Sequence, residues 1–316
     1  EDETLLITNR NTPSPLIGKI TINLDEWEQE KTDIFYLIFS AYICGSDKII
    51  IESKHKIDLR LRQEIDKMVR DLIDLEVLEE EENKITIKTL GQTPEDIKNI
   101  FQRILNNVLY MLEQLTLSEL SSHKKTNNQK QSKEIDLKEY KKGAESIISR
   151  FKDVKRFASF IDRGIHMLLR NRNSLRKLDW SINDCLFNLM VTKYCEAIAD
   201  HCSKVAKHIT KISDDAEIDQ NIERFSNAAH VVFMEVIKIY QYGNMIEAYK
   251  IFTNYSEFKI DIDELQTNDN KSSDTNLILY HLQRIISYSR RVAEIAVHKY
   301  ISKTVASSRI ELLKKP

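Results

Sequence analysis

The chain has 316 residues, of which 41% are hydrophobic and 30% charged, so it can bury a sizeable core and is not an intrinsically disordered chain. A formal net charge of −2 gives it no bulk attraction to nucleic acid or to an anionic membrane. With 6 Gly and 4 Pro, and no Pro between Pro94 and Pro316, the composition favours long uninterrupted helices.

Residues 1–16 are expected to form a remnant strand, Thr4 to Thr8, and a linker carrying Pro13 and Pro15. The strand reads as the last one of a domain lying upstream. An α/β segment follows over 17–92. Lys19 to Leu24 alternates as a strand does, Trp27 to Ile43 is expected to be one helix, and Gly45 caps it. Lys48 to Glu52 holds three consecutive isoleucines, the pattern of a strand covered on both faces. Asp58 to Ile73 is a second helix. A third strand starts at Leu75-Glu76-Val77, Glu79 to Glu82 is expected to be a charged turn, and Lys84 to Lys88 alternates again. The result is a βαβαββ unit without a glycine-rich phosphate loop.

Thr93-Pro94-Glu95-Asp96 is a helix start, with a capping hydroxyl, proline at the first position and acids in the first turn. That helix is expected to reach about Leu120, and SSHKKTNNQKQSK, Ser121 to Lys133, forms a polar loop. A second helix covers Ile135 to Asn171. After an Asn/Ser-containing break a third begins near Asp179 to Asn183 and runs through MVTKYCEAIADHCSKVAKHI, with an apolar stripe of Val191, Tyr194, Ile198, Val205 and Ile209. Glu196 and Asp200 lie one turn apart on its outer side. A second set of helices spans Ala216 to Tyr242, Ile246 to about Leu265, and Asn276 to Thr304. Shifted by 87 residues, Ile198, Val205 and Ala206 fall on Ile285, Val292 and Ala293, which suggests two copies of one helical unit. The expected architecture is mostly α: the α/β segment, a three-helix bundle over 93–212, a second over 213–304, and a tail over 305–316.

The cysteines, Cys44, Cys185, Cys195 and Cys202, lack CxxC spacing and read as reduced thiols of a cytoplasmic protein. No apolar run reaches the ~18 residues of a membrane span. From Arg150 to Lys177 nine Lys and Arg face only Asp153 and Asp162. Arg150, Lys152, Lys155, Arg156, Arg163 and Arg170 are therefore candidates for docking an acidic partner surface, with a merely solvated face as the plainer reading. No aromatic interleaving suggests stacking on bases.

AYICGSDKIII near Ala41, DLIDLEVLEEEENKITIK from Asp71, KYCEAIADHCSKVAKHI from Lys193 and HLQRIISYSRRVAEIA from His281 together resemble the PhoU family of phosphate-uptake regulators over roughly 17–304, in the form with an α/β segment. Members of that form often carry an AbrB-like domain ahead of it. The resemblance implies a non-catalytic regulator made of two three-helix bundles that acts on a phosphate ABC transporter through its ATPase or on a signalling protein, and that forms a homo-oligomer. It also implies a divalent metal or iron held by carboxylate motifs on the second and third helices of each bundle. Only Glu196 and Asp200 match those motifs. The facing positions are Phe151 and Lys155, and the second bundle has Gln283 and Ser287. Lys155 offers a built-in positive charge in place of a metal.

Two further readings compete. In one, a transcriptional regulator binds DNA through a domain upstream and uses these bundles as a platform. In the other, Asp200-His201 and His208 belong to a helical metal-dependent phosphohydrolase. Against catalysis, Glu113, Glu145, Glu196 and Glu235 lack the Glu-x-x-His spacing of di-iron bundles, and no nucleophile elbow occurs.

Overall fold

Isoleucines 49 to 51, all but inaccessible to solvent, lie on an inner strand of a four-stranded sheet. A computed structural model of the chain describes residues 18–29, 33–91, 93–116, 137–170, 172–212, 219–243, 245–254 and 273–313. The remnant strand and the Ser121–Lys133 loop expected from sequence lie outside them. Contacts divide the chain into two units, Glu1–Thr93 with Asp162–Arg170, and Pro94–Ile161 with Asn171–Pro316.

In the first unit the elements run β1 (Lys19–Asn23), α1 (Leu24–Gln29), α2 (Ile34–Ile43), β2 (Lys48–Glu52), α3 (Leu59–Arg70), β3 (Leu75–Glu81) and β4 (Lys84–Thr89). The sheet order is β1-β2-β4-β3, with β1 and β2 parallel and the other pairs antiparallel. Ile38, Tyr42, Ile49, Ile51, Ile65, Ile85 and Ile87 fill its core.

The expected single helix over 27–43 is two helices. Asp33 has extended backbone and its carboxylate accepts from the Phe35 amide at 2.9 Å, which starts α2 anew. Gly45, at φ +80°, ends α2 in a Schellman motif, with Ser46 N–H donating to the Ala41 carbonyl and Gly45 N–H to that of Tyr42. The expected charged turn at 79–82 is instead mostly strand. β3 lies at the sheet edge, so its acids stay in water while its backbone pairs with β4, in a register that sets Glu81 against Lys84 and Glu76 against Lys88.

The helix α5 (Leu137–Arg170) belongs to both units, its last turns grouping with the sheet. There Arg163 is 0% exposed. Its guanidinium donates to the carbonyls of Tyr42 and Ser46, both at 2.9 Å, to the Thr89 hydroxyl at 3.2 Å and to Asp47 Oδ1 at 3.4 Å. Two of these acceptors are carbonyls at the C-terminus of α2, where a cation is favoured. Burial lowers the Arg163 pKa, against the pull of Tyr42, Asp47 and Asp74.

The second unit holds α4 (Pro94–Glu113), most of α5, α6 (Arg172–Leu178), α7 (Ile182–Ile209), α8 (Gln220–Tyr242), α9 (Met245–Asn254) and α10 (Ser273–Leu313). The break read before the third helix contains α6, closed by Asp179 at φ 55°, after which a Ser181–Asp184 capping box starts α7. Between Val191 and Ile209, every buried position of α7 except Ser203 has a buried counterpart 87 residues on, from Ile278 to Ala296. Both helices thus bury the same face of a repeated unit, and they pack on each other. A buried polar node ties in α8: Tyr240 donates to Asn188 of α7, and the Lys299 ammonium of α10 lies 4.1 Å from the Tyr240 ring.

Replacing Arg163 should strip four acceptors of their buried donor. Arg163→Ala is expected to cost about 3–5 kcal/mol in chemical denaturation. Arg163→Lys, which lacks the planar fork, should recover only part of that loss.

Candidate functional site

Glu196 and Asp200 occupy successive turns of α7, and Phe151 and Lys155 successive turns of α5. Together with Lys193 and Ala197 they line an open cavity of about 330 Å³ in the second unit. The α7 spacing explains the carboxylates: Val191, Ile198 and Val205 turn inward, so positions 196 and 200 emerge on the opposite flank. Each acid has a lysine on its own helix. Lys193 Nζ lies 3.8 Å from Glu196, and Lys204 Nζ 2.7 Å from Asp200. The Lys155 ammonium sits 5.8 Å from the Phe151 ring centre, exposed at the same cavity.

These residues do not fit a multinuclear metal. A hard cation needs six or more oxygens, whereas two carboxylates here meet a phenyl ring and three lysines. In the second repeat Gln283 and Ser287 stand at the equivalent positions, and the Ser287 hydroxyl donates to the Gln283 carbonyl at 3.0 Å. Among the described residues no group of three or more His, Cys, Asp or Glu is arranged to hold a metal ion.

The six basic candidates separate. Lys152, Lys155 and Arg170 are exposed and Arg156 half-buried. Arg150 lies 3.8 Å over the Tyr110 ring and donates to Asn107 at 2.9 Å, which ties α5 to α4. Contrary to the expectation from sequence, Arg163 is not a docking residue: its guanidinium is sealed beneath the α2 terminus, and both terminal nitrogens donate within the fold.

A second open cavity, about 290 Å³, lies at the C-terminal ends of β1 and β2 and is lined by Asn23, Asp25, Ser53 and Lys54 among others. Asp25 is committed there, accepting from the Lys54 amide at 2.7 Å and the Ser53 hydroxyl at 3.1 Å, and the first of these bonds is the largest cause of its lowered pKa. Cys44 is exposed and Cys185, Cys195 and Cys202 are buried free thiols. Burial pushes the Cys185 thiol up to about 11, away from nucleophilic use.

One arrangement escaped the sequence reading. His201 and His208, seven residues apart on α7, meet His281 of α10. The 87-residue register places His281 on Tyr194 and Tyr288 on His201, but equivalence of position does not show which rings meet across the two helices.

No protein-family model matches the sequence, and no curated protein is similar to it. Two solved structures are similar in fold. PhoU from Pseudomonas aeruginosa has a TM-score of 0.50 at 15% identity, over 65% of this chain and 95% of that one. The phosphate transport system regulatory protein PhoU from Streptococcus pneumoniae has a TM-score of 0.48 at 16% identity, over 65% of this chain and 93% of that one. The fold is PhoU-like and mostly α.

The lysine-flanked carboxylates lead to a measurable outcome. Mg²⁺, Mn²⁺ or Fe²⁺ should leave the melting temperature of the natural protein unchanged. The double substitution Phe151→Glu, Lys155→Asp, which places four carboxylates around the cavity, should make melting metal-dependent, with a rise of several degrees at saturating metal.

Proposed function

We propose that this chain is a non-catalytic, cytoplasmic regulator of phosphate uptake that works by protein–protein contact with the ATPase of a phosphate ABC transporter or with a signalling protein. The observation that carries the reading is the PhoU-like fold, with the repeat it contains. The fold supplies long helical faces and open, shallow cavities, a form suited to docking rather than to enclosing a substrate.

The docking face we assign is the one around the α5–α7 cavity. Lys155 of α5 and Lys193 of α7 line the cavity beside the half-exposed Phe151, and Lys152 is exposed at the neighbouring position of α5. A cationic rim around an aromatic side chain suits an acidic partner surface, since charge there steers approach and the ring contributes burial. Glu196 and Asp200, held by their lysines, fix the register of that partner rather than a metal.

The test is co-precipitation of a phosphate-importer ATPase from the same organism with the purified chain. The natural protein should retain the ATPase, and Lys152→Glu with Lys155→Glu should weaken recovery about tenfold without moving the melting temperature. Equal recovery by both proteins would move the docking face elsewhere. Failure to retain the ATPase, with metal-dependent phosphoester turnover, would replace the reading by the enzyme.

A further inference from the structure

The internal repeat makes Tyr194 and His201 of α7 the counterparts of His281 and Tyr288 of α10. All four rings meet where the two helices pack. Ring centres lie 5.9 Å apart for Tyr194–Tyr288, 5.0 Å for His201–His281 and 5.7 Å for His201–Tyr288. The tyrosine pair and the histidine pair are one contact seen from the two sides of a pseudo-twofold relation, with His201–Tyr288 on its axis. On the histidine side the contact is polar: the two Nδ1 atoms are 3.0 Å apart. Farther along α7, His208 stacks on His281 with ring centres at 6.0 Å, and its Nδ1 bonds the Asp274 carboxylate at 2.7 Å.

A bond between two Nδ1 atoms forms only when one ring donates and the other accepts. At least one imidazole must therefore be neutral. A second proton would set two N–H donors face to face and place two positive charges in contact.

We infer that the His201–His281 pair is a pH-sensitive latch on the α7–α10 seam, closed while one ring is neutral and opened when both are protonated.

The surroundings favour the closed form. Burial is the largest cause holding the His281 pKa down to about 4, with His201, Lys204 and His208 adding to it and Asp200 opposing. The His201 pKa is lowered first by burial and then by Lys204, with Arg284 adding and Asp200 opposing. Both carboxylates nearby are engaged, Asp200 by Lys204 and Asp274 by His208. Arg284 donates to the Tyr288 hydroxyl at 2.9 Å, and Tyr280 meets the His281 ring edge-on. Helices α8 and α9 also pack on α10, but the groups shifting the pair come from α7 and α10.

The direction of the pH effect follows. A histidine depressed in the fold takes its proton in the unfolded chain first. Its stabilisation is complete above an ordinary histidine pKa of about 6.5 and declines as pH falls toward about 4. Both rings are partly exposed, so solvent screening leaves an effect on the order of tenfold in the folding equilibrium rather than the full ratio.

The experiment pairs two measurements on the full chain. Side-chain NMR of the natural protein should show His281 titrating well below 6.5. Denaturation at pH 7.5 and pH 5 should show a loss of stability that His281→Gln, which cannot titrate, reduces by about tenfold in the folding equilibrium. His201→Gln should act alike, and the double variant should add nothing further. A His281 that titrates at an ordinary pKa overturns the latch, whether or not the variants fold. So does an unchanged pH dependence in a folded His281→Gln protein.

Discussion

The seam between α7 and α10 is the constraint from which the larger unit follows. Both helices bury the same register of positions, and small side chains recur along it: Ala199, Cys202 and Ala206 on one side, Ser289, Ala293 and Ala296 on the other. Small residues allow close approach, and the isoleucines and valines between them each contribute about 1.5–3 kcal/mol on burial. Tyr240 can reach Asn188, and Lys299 the carbonyl and ring of Tyr240, only because α8 and α10 are already held against α7.

The same commitment decides what the outer flank can do. Glu196 and Asp200 emerge beside lysines on α7 and opposite a lysine and a phenylalanine on α5. Charge is balanced within the protein, so the cavity has little demand for an ion. The repeat matches in its buried positions and differs on this half-buried flank, where Gln283 and Ser287 stand at the positions of the acids.

Features that depend on a few residues of one segment were legible in the sequence. The isoleucine run gave β2, Gly45 gave the end of α2, Thr93-Pro94 gave the start of α4, and the spacing of Val191, Ile198 and Val205 gave the buried face of α7. Features decided by tertiary partners were not. Glu79 to Glu81 look like a turn until β4 is known to pair with them, and the split between α1 and α2 depends on Asp33 turning its carboxylate back on the chain. Arg163 stood among surface charges in sequence because nothing in its neighbours shows that the acceptors at Tyr42, Ser46 and Thr89 await it. The Glu196–Asp200 pair could be read in register, but the ring pairing of His201 with His281 requires two helices 80 residues apart.

Arg163 also has a consequence for how the protein is made. The sheet and its helices are complete in sequence by Thr89, yet the guanidinium that closes the end of α2 arrives only with the far end of α5. In synthesis from the amino terminus the carbonyls of Tyr42 and Ser46 are made well before the guanidinium that bonds them. A fragment ending before α5 would carry all four strands of the described sheet and still lack its keystone.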